Sequence, residues 1–375
     1  MARPWRAAIL LSAVLAGVCA SMPRRCAGDP VTTTAPTISF DGFFSASYSY
    51  NFNRPASGTN QFRVFDVDDN TYKLDVIELV MQKPVARPRE AGVRVDLTVG
   101  GSIPRVTAAS GLFRDASGQA EDIDLQQAFA SWIAPAGSGL RLDLGKFVTH
   151  FGSEVIQGYD GWNDEATRSF LFGYAIPFTH VGVRASYTAS PKVNLMAMVV
   201  NGWDVARDNN RSKSVGGQIV VMPAGTLALT LNAMWGPERS DNDADARTML
   251  DAVATLKLGE RATIGINGDW GTDANAAGAG ADARWSGVAG YLRVTVTPSF
   301  ALSARGEMFD DRDGARTGTA QTLREVTVTP ELRLTPHLLL RADARLDHSD
   351  LPVFEKRVGL ANTQPSILLD VVGTF

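Results

Sequence analysis

The chain has four histidines, His150, His180, His337 and His348, and catalysis is the first chemistry to test on them. None stands in an H-E-x-x-H metal helix, and the chain carries no G-x-S-x-G nucleophile elbow and no phosphate-binding P-loop. His150 and His180 flank one long connection that also holds Glu154 and Asp160, but histidines that cap strand ends account for that spacing more simply, so no enzyme is expected. The acid clusters Asp66 to Asn70, Asp241 to Asp245 and Asp310 to Asp313 invite a calcium reading. The first lacks the central glycine and has Ile77 where a bidentate glutamate should stand. All three read as solvated loop tips, and no metal or cofactor is expected. What does recur is charge at every second position: Arg94 and Asp96, Arg141 and Asp143, Arg305 and Glu307, and the run Arg341, Asp343, Arg345, Asp347. In an extended strand that spacing puts every charge on one face. Together with Arg184 and Arg293 these residues describe a wetted wall, where opposite signs pair either to stiffen it or to select what passes along it.

The elements that carry these residues are short and alternate strictly. In Thr37 to Tyr50, Ile38, Phe40, Phe44, Ala46, Tyr48 and Tyr50 oppose Ser39, Asp41, Ser45, Ser47 and Ser49, with Phe43 the exception. The runs 91 to 100, 140 to 147 and 338 to 347 alternate in the same way. Helical spacing would mix the two sets. Residues 71 to 83 change phase near Val76, which predicts a bulge or a shifted strand boundary. The run 193 to 203 is apolar on both faces, as a subunit contact or a stretch of wall covered by an inserted loop would be. About sixteen strands result, and the gaps between them are alternately long and short. A soluble sandwich does not sort its loops this way. An outer-membrane barrel does. The expected fold is all-β: an antiparallel transmembrane β-barrel over 37–375 with short periplasmic turns and long external loops.

The N-terminus agrees with that destination. Arg3 and Arg6 precede an apolar stretch, Ala7 to Ala20, too short to span a bilayer as a helix. Residues 1–20 read as a secretory signal peptide, and 21–36 as a short periplasmic segment. Val18 stands where a lipoprotein signal wants Gly, Ala or Ser before Cys19. Cleavage removes two of the 36 basic residues and none of the 40 acids, taking the formal charge from −4 to −6, so nucleic acid is not an expected partner. Only Cys26 then remains, which rules out an internal disulfide. The chain ends on Phe375, and Ile367, Leu369, Val371 and Phe375 share a face. That is the mark by which bacterial barrels are handed to their assembly machinery, and it places the protein in the outer membrane of a Gram-negative-type bacterium, in contact with lipid and lipopolysaccharide.

The segments DGFFSASYSYNFNRP (41–55), GSEV (152–155), IPFTHVGV (176–183), VNGWD (200–204), DNN (208–210), GPE (236–238), RGEMFDD (305–311) and RADARLDHSD (341–350) resemble the β-barrel porins of the OmpL-like type. The resemblance spans essentially the whole mature chain and implies an outer-membrane porin. Sixteen strands would leave a water-filled lumen, giving passive diffusion of small hydrophilic solutes or ions. Its expected lining is Arg94, Asp96, Arg141, Asp143, Arg184, Arg293, Arg305, Glu307, Arg341, Asp343, Arg345 and Asp347. The longest gap, 149–177, sets Glu154, Asp160, Asp164, Glu165 and Arg168 among six aromatic residues. It is expected to fold inward as a constriction, its acids favouring cations or neutral solutes; the other reading is a loop capping the outside or packing on a neighbour. A homotrimer follows by analogy of fold. The alternative function is a structural or adhesive barrel with a blocked lumen whose external loops bind a surface partner.

Overall fold

A computed structural model describes residues 37–103, 106 and 112–375. The expected signal peptide, 1–20, and the segment 21–36 lie outside the described residues. Among the described residues sixteen antiparallel strands close on themselves: β1 (Ser39–Asn51), β2 (Thr71–Lys83), β3 (Ala91–Val99), β4 (Ile123–Ala134), β5 (Leu140–Val148), β6 (Thr179–Ser190), β7 (Val193–Val200), β8 (Ser214–Ala224), β9 (Leu227–Pro237), β10 (Ala246–Leu258), β11 (Ala262–Asp273), β12 (Ala283–Thr297), β13 (Phe300–Asp311), β14 (Gln321–Thr335), β15 (Leu338–Ser349) and β18 (Thr363–Thr374). Two short strands, β16 (Phe354–Glu355) and β17 (Leu360–Ala361), pair as a separate hairpin between β15 and β18. Closure is by β1 against both β2 and β18. Each of the sixteen barrel strands is then paired on both edges, the requirement for backbone held among lipid tails.

The sixteen-strand expectation holds, and so does the sorting of the gaps. Connections on one rim, such as 191–192, 225–226 and 336–337, are two residues long, whereas those on the other include 52–70, 100–122 and 149–178. The bulge expected in β2 is present one residue earlier than the phase change suggests. Ser45 faces Val76 and Ala46 faces Leu74, which leaves Asp75 as the extra residue. Thereafter Val76, Glu78 and Val80 point inward and Leu79 outward.

Polarity is inverted relative to a soluble protein. On β14, Glu325, Thr327, Thr329 and Glu331 are buried inside, and Val326, Val328 and Leu332 are exposed outside. The outward face carries aromatic residues at both rims: Phe40, Trp132 and Phe375 at the short-turn end, Phe52, Tyr72, Trp235 and Trp270 at the other. Two such girdles bracket the apolar band of a membrane barrel. At the seam, Gly42 exchanges backbone hydrogen bonds with Phe375, at 2.9 and 3.1 Å. The Phe375 ring lies where a side chain on Gly42 would stand, the aromatic cover of a sheet glycine.

Two outcomes follow from this arrangement. Val326→Arg, on the lipid side of mid-β14, lowers the stability of the folded barrel by about 2–4 kcal/mol, read as a fall in the urea midpoint of heat-sensitive gel mobility. Gly42→Val displaces the Phe375 ring and lowers the yield of heat-shifting barrel, whereas Phe40→Leu, exposed on the outer face of the same strand, leaves that yield near wild type.

Candidate functional site

The segment between β5 and β6, 149–178, does not leave the barrel. It starts at the β10 and β11 wall, where Gly152 N donates to Asp251 at 3.1 Å and Ser153 N to Asn267 at 2.8 Å. Its tip, a tight turn between Gly158 and Gly161, reaches β2 and β3: Tyr159 N donates to Glu78 at 2.5 Å and Asp160 pairs with Arg94 at 2.6 Å. The return passes β15, where Asp343 accepts from Ala166 N at 3.2 Å, Thr167 N at 2.7 Å and Thr167 Oγ1 at 2.8 Å. Glu307 then accepts from Phe170 N at 2.5 Å and Leu171 N at 3.1 Å, just ahead of a single π-helical turn, Leu171–Ala175. Trp285 holds the end of that turn by donating to Ala175 O at 3.1 Å.

Arginines of the wall serve the loop carbonyls. Arg305 donates to Thr167 O at 2.9 Å, Arg341 to Asn163 O, and Arg345 to Arg168 O. A loop that lies inside a barrel has no strand to pair with, yet its peptide groups must be satisfied. The alternating charges of the wall do this, carboxylates for N–H and guanidinium groups for C=O.

All twelve wall residues expected from the sequence face inward, and their pairing is only partly the one expected. Arg94 with Asp96, Arg141 with Asp143, and Arg345 with Asp347 pair along their strands at 2.7–2.8 Å. Arg184 reaches across to Asp143 at 2.9 Å, and Arg293 to Glu331 at 2.8 Å. Two expected neighbours do not pair. Arg341 turns to Asp370, and Arg305 turns to Glu325 at 2.7 Å and to Glu154 of the loop at 2.6 Å. The loop backbone has taken Asp343 and Glu307 in their place.

The loop acids are engaged as well. Glu154 is bound by Arg305, Asp160 by Arg94, and Asp164 by Arg293 at 2.8 Å. Burial pushes the Glu165 carboxyl well above the ordinary range against the pull of Arg305, and the Asp164 carboxylate pushes it the same way, so it favours its neutral form. Arg305, Arg94 and Arg293 each also hold a wall carboxylate, Glu325, Asp96 and Glu331 respectively, so the loop acids share their cations with the wall.

Aromatic residues of the loop build an apolar core inside the barrel. Phe151, Phe170, Leu171, Phe172, Ile176 and Phe178 pack with Phe147, Met198, Val200, Trp285 and Phe309 of the wall. The two-faced apolar β7 is explained: Met198 and Val200 lie under the loop while Leu195 and Val199 face outward. Phe43, the exception in β1, points inward and stacks on Trp162 of the loop, with ring centroids 6.4 Å apart.

A second inserted segment, 52–70, is absent from the sequence expectation. Arg63 binds Asp347 at 2.6 Å and also Asp66, so Asp66 is a buried partner and not a solvated loop tip. Phe65 of the same segment packs on Phe172 at 6.0 Å and Phe178 at 6.1 Å. The signal available in the sequence was Phe62 and Phe65 flanking Arg63. His180 is buried and His150 half-buried, with ring centroids 6.2 Å apart, and His180 has Thr149 and Gly202 O as its partners at 3.2 Å. His337 lies at the opposite rim.

The fold is shared with solved porins. An anion-selective porin from Comamonas acidovorans superposes with a TM-score of 0.60 at 11% identity, covering 90% of this chain and 99% of that one. OprB of Pseudomonas putida gives 0.60 at 11%, covering 90% and 94%. Salmonella typhi OmpF, solved in complex with daunomycin, gives 0.60 at 8%, covering 91% and 98%. No curated protein sequence matches. The family described as "Putative beta-barrel porin-2, OmpL-like" matches residues 37–375, all sixteen strands of the barrel, and the chain belongs to that family.

Proposed function

We propose that this protein is an outer-membrane porin of narrow bore, passing small hydrophilic solutes or ions by diffusion, with 149–177 as its constriction. One observation carries the reading: the inserted loop spans the lumen from β10 and β11 to β2 and β3, yet an interior space of about 50 Å³, lined by both polar and apolar residues, lies beside it. The twelve inward charges line the barrel wall away from that space, and Glu154, Asp160, Asp164, Glu165 and Arg168 belong to the constriction. Residues 1–20 direct export, the strand ending at Phe375 addresses the assembly machinery, and the outer apolar band contacts lipid and lipopolysaccharide. A homotrimer is proposed from the fold alone.

Deleting 157–170 removes the crossing segment and raises single-channel conductance in planar bilayers several-fold; equal conductance in the deletion and the wild type refutes the constriction. Asp343→Ala withdraws the acceptor shared by Ala166 N, Thr167 N, Thr167 Oγ1 and, at 2.8 Å, Thr329 Oγ1. Each lost bond to a charged group is worth about 1.5–3 kcal/mol. The expected record is a channel that still conducts but flickers between its wild-type level and larger ones. Correctly folded wild-type protein that stays silent in the bilayer would instead support a blocked barrel.

A further inference from the structure

Two residues that border the same interior space each carry a buried nitrogen donor with no acceptor among the described residues. The space lies between β1, β2, β4, β18, the segments 52–70 and 100–122 and the inserted loop, and Arg168, Gln157, Ser45, Ser47 and Ser102 are among its lining residues. The Arg168 guanidinium lies over the Phe65 ring at 5.0 Å and Nη1 donates to Ala166 O at 2.5 Å, while Nε has no partner among the described residues. Arg63, Arg305, Arg341 and Arg345, equally deep, each hold a carboxylate. Among the described residues Arg168 holds none. The orientation of the Gln157 amide is set by its neighbour: Oε1 accepts from Arg341 Nη2 at 3.2 Å, so Nε2 is the donor left over, and it too is buried and without a partner among the described residues.

The acids on the same lining are already engaged. Asp66 is held by Arg63, and Asp370 by Arg341 and by Ser45 Oγ at 2.9 Å. Asp75 is held by Ser102 Oγ at 2.9 Å and Lys73 at 3.4 Å. A buried donor without an acceptor is costly, so it marks a place where a further acceptor belongs. One donor here is cationic, which favours an acceptor with negative charge.

We propose that Arg168 and Gln157 form a binding site for a small monovalent anion, a halide or a carboxylate of formate size, at the constriction. The three engaged carboxylates nearby keep binding weak, as passage through a channel requires. The site would give the loop an anion preference, the reverse of what its acids suggest by composition. Its role in transport rests on the diffusion reading above; the binding does not.

Binding is tested on the full barrel folded in detergent by chloride-35 line broadening with formate as competitor. The expected result is saturable broadening that formate reverses. Arg168→Gln weakens it by about tenfold, the loss of one charge-assisted hydrogen bond, and Gln157→Leu, which keeps the charge, weakens it less. Equal broadening in wild type and both variants, or broadening that formate does not reverse, overturns the site and leaves the space to water. Heat-dependent mobility confirms folding; if Arg168→Gln does not fold, Gln157→Leu carries the test. In bilayers under a potassium chloride gradient, Arg168→Gln shifts the reversal potential toward cation preference. A conducting variant with an unshifted reversal potential overturns Arg168 as the specificity residue. A silent wild type that still broadens the chloride line refutes the diffusion reading and keeps the anion site.

Discussion

The structure depends on how a peptide chain is held inside a closed sheet. Strands of the wall satisfy one another, but the segment 149–178 crosses the interior with no ladder of its own. Its N–H groups find Asp251, Glu78, Asp343 and Glu307, and its carbonyls find Arg305, Arg341 and Arg345. A peptide backbone presents alternating donors and acceptors, and a wall of alternating carboxylates and guanidinium groups is its complement. That explains why the wall carries both signs on single strands.

Polar capture is reinforced by an apolar core in the long-loop half of the barrel. Phe170, Leu171, Phe172 and Phe178 bring aliphatic and aromatic area into a lumen that would otherwise be wet, and the wall answers with Phe147, Met198, Val200, Trp285 and Phe309. The segment 52–70 joins them through Phe65. Arg247 and Arg316 lie over both Trp203 and Trp285, within 4.8–5.9 Å of the ring centroids, where cation–π attraction offsets part of the cost of burying charge. Two chemically distinct sets of contacts therefore position the same loop, one through its backbone and one through its side chains.

Charges engaged in holding the loop are withdrawn from water. Arg341, Asp343, Arg345 and Asp347 are all buried. Arg141 and Arg184 retain more water contact beside Asp143. Composition alone overstates how much of the wall can select. Beside the loop lies a small space of mixed polar and apolar lining, bordered by Arg168 and Gln157, each with a buried donor unpartnered among the described residues.

The barrel was legible in the sequence because the two faces of a strand are a local property. Alternation in β1, β5 and β15, the phase change in β2 and the order of long and short gaps each needed only a few neighbouring residues, and together they pointed to about sixteen strands and to which rim carries the long loops. The departures from the pattern, Phe43 and the two-faced β7, marked where something covers the inner wall. What covers it, and which charges pair, belonged to the tertiary structure. Arg305 is 151 residues from Glu154, and Arg63 is 284 from Asp347. No local spacing relates such partners. Only closure of the sheet brings β15 and β18 round to β1 and encloses both inserted segments, and only then do backbone groups compete with neighbouring side chains for the same carboxylates. The inward position of each charge was thus a consequence of its strand, and its partner a consequence of the enclosed loop.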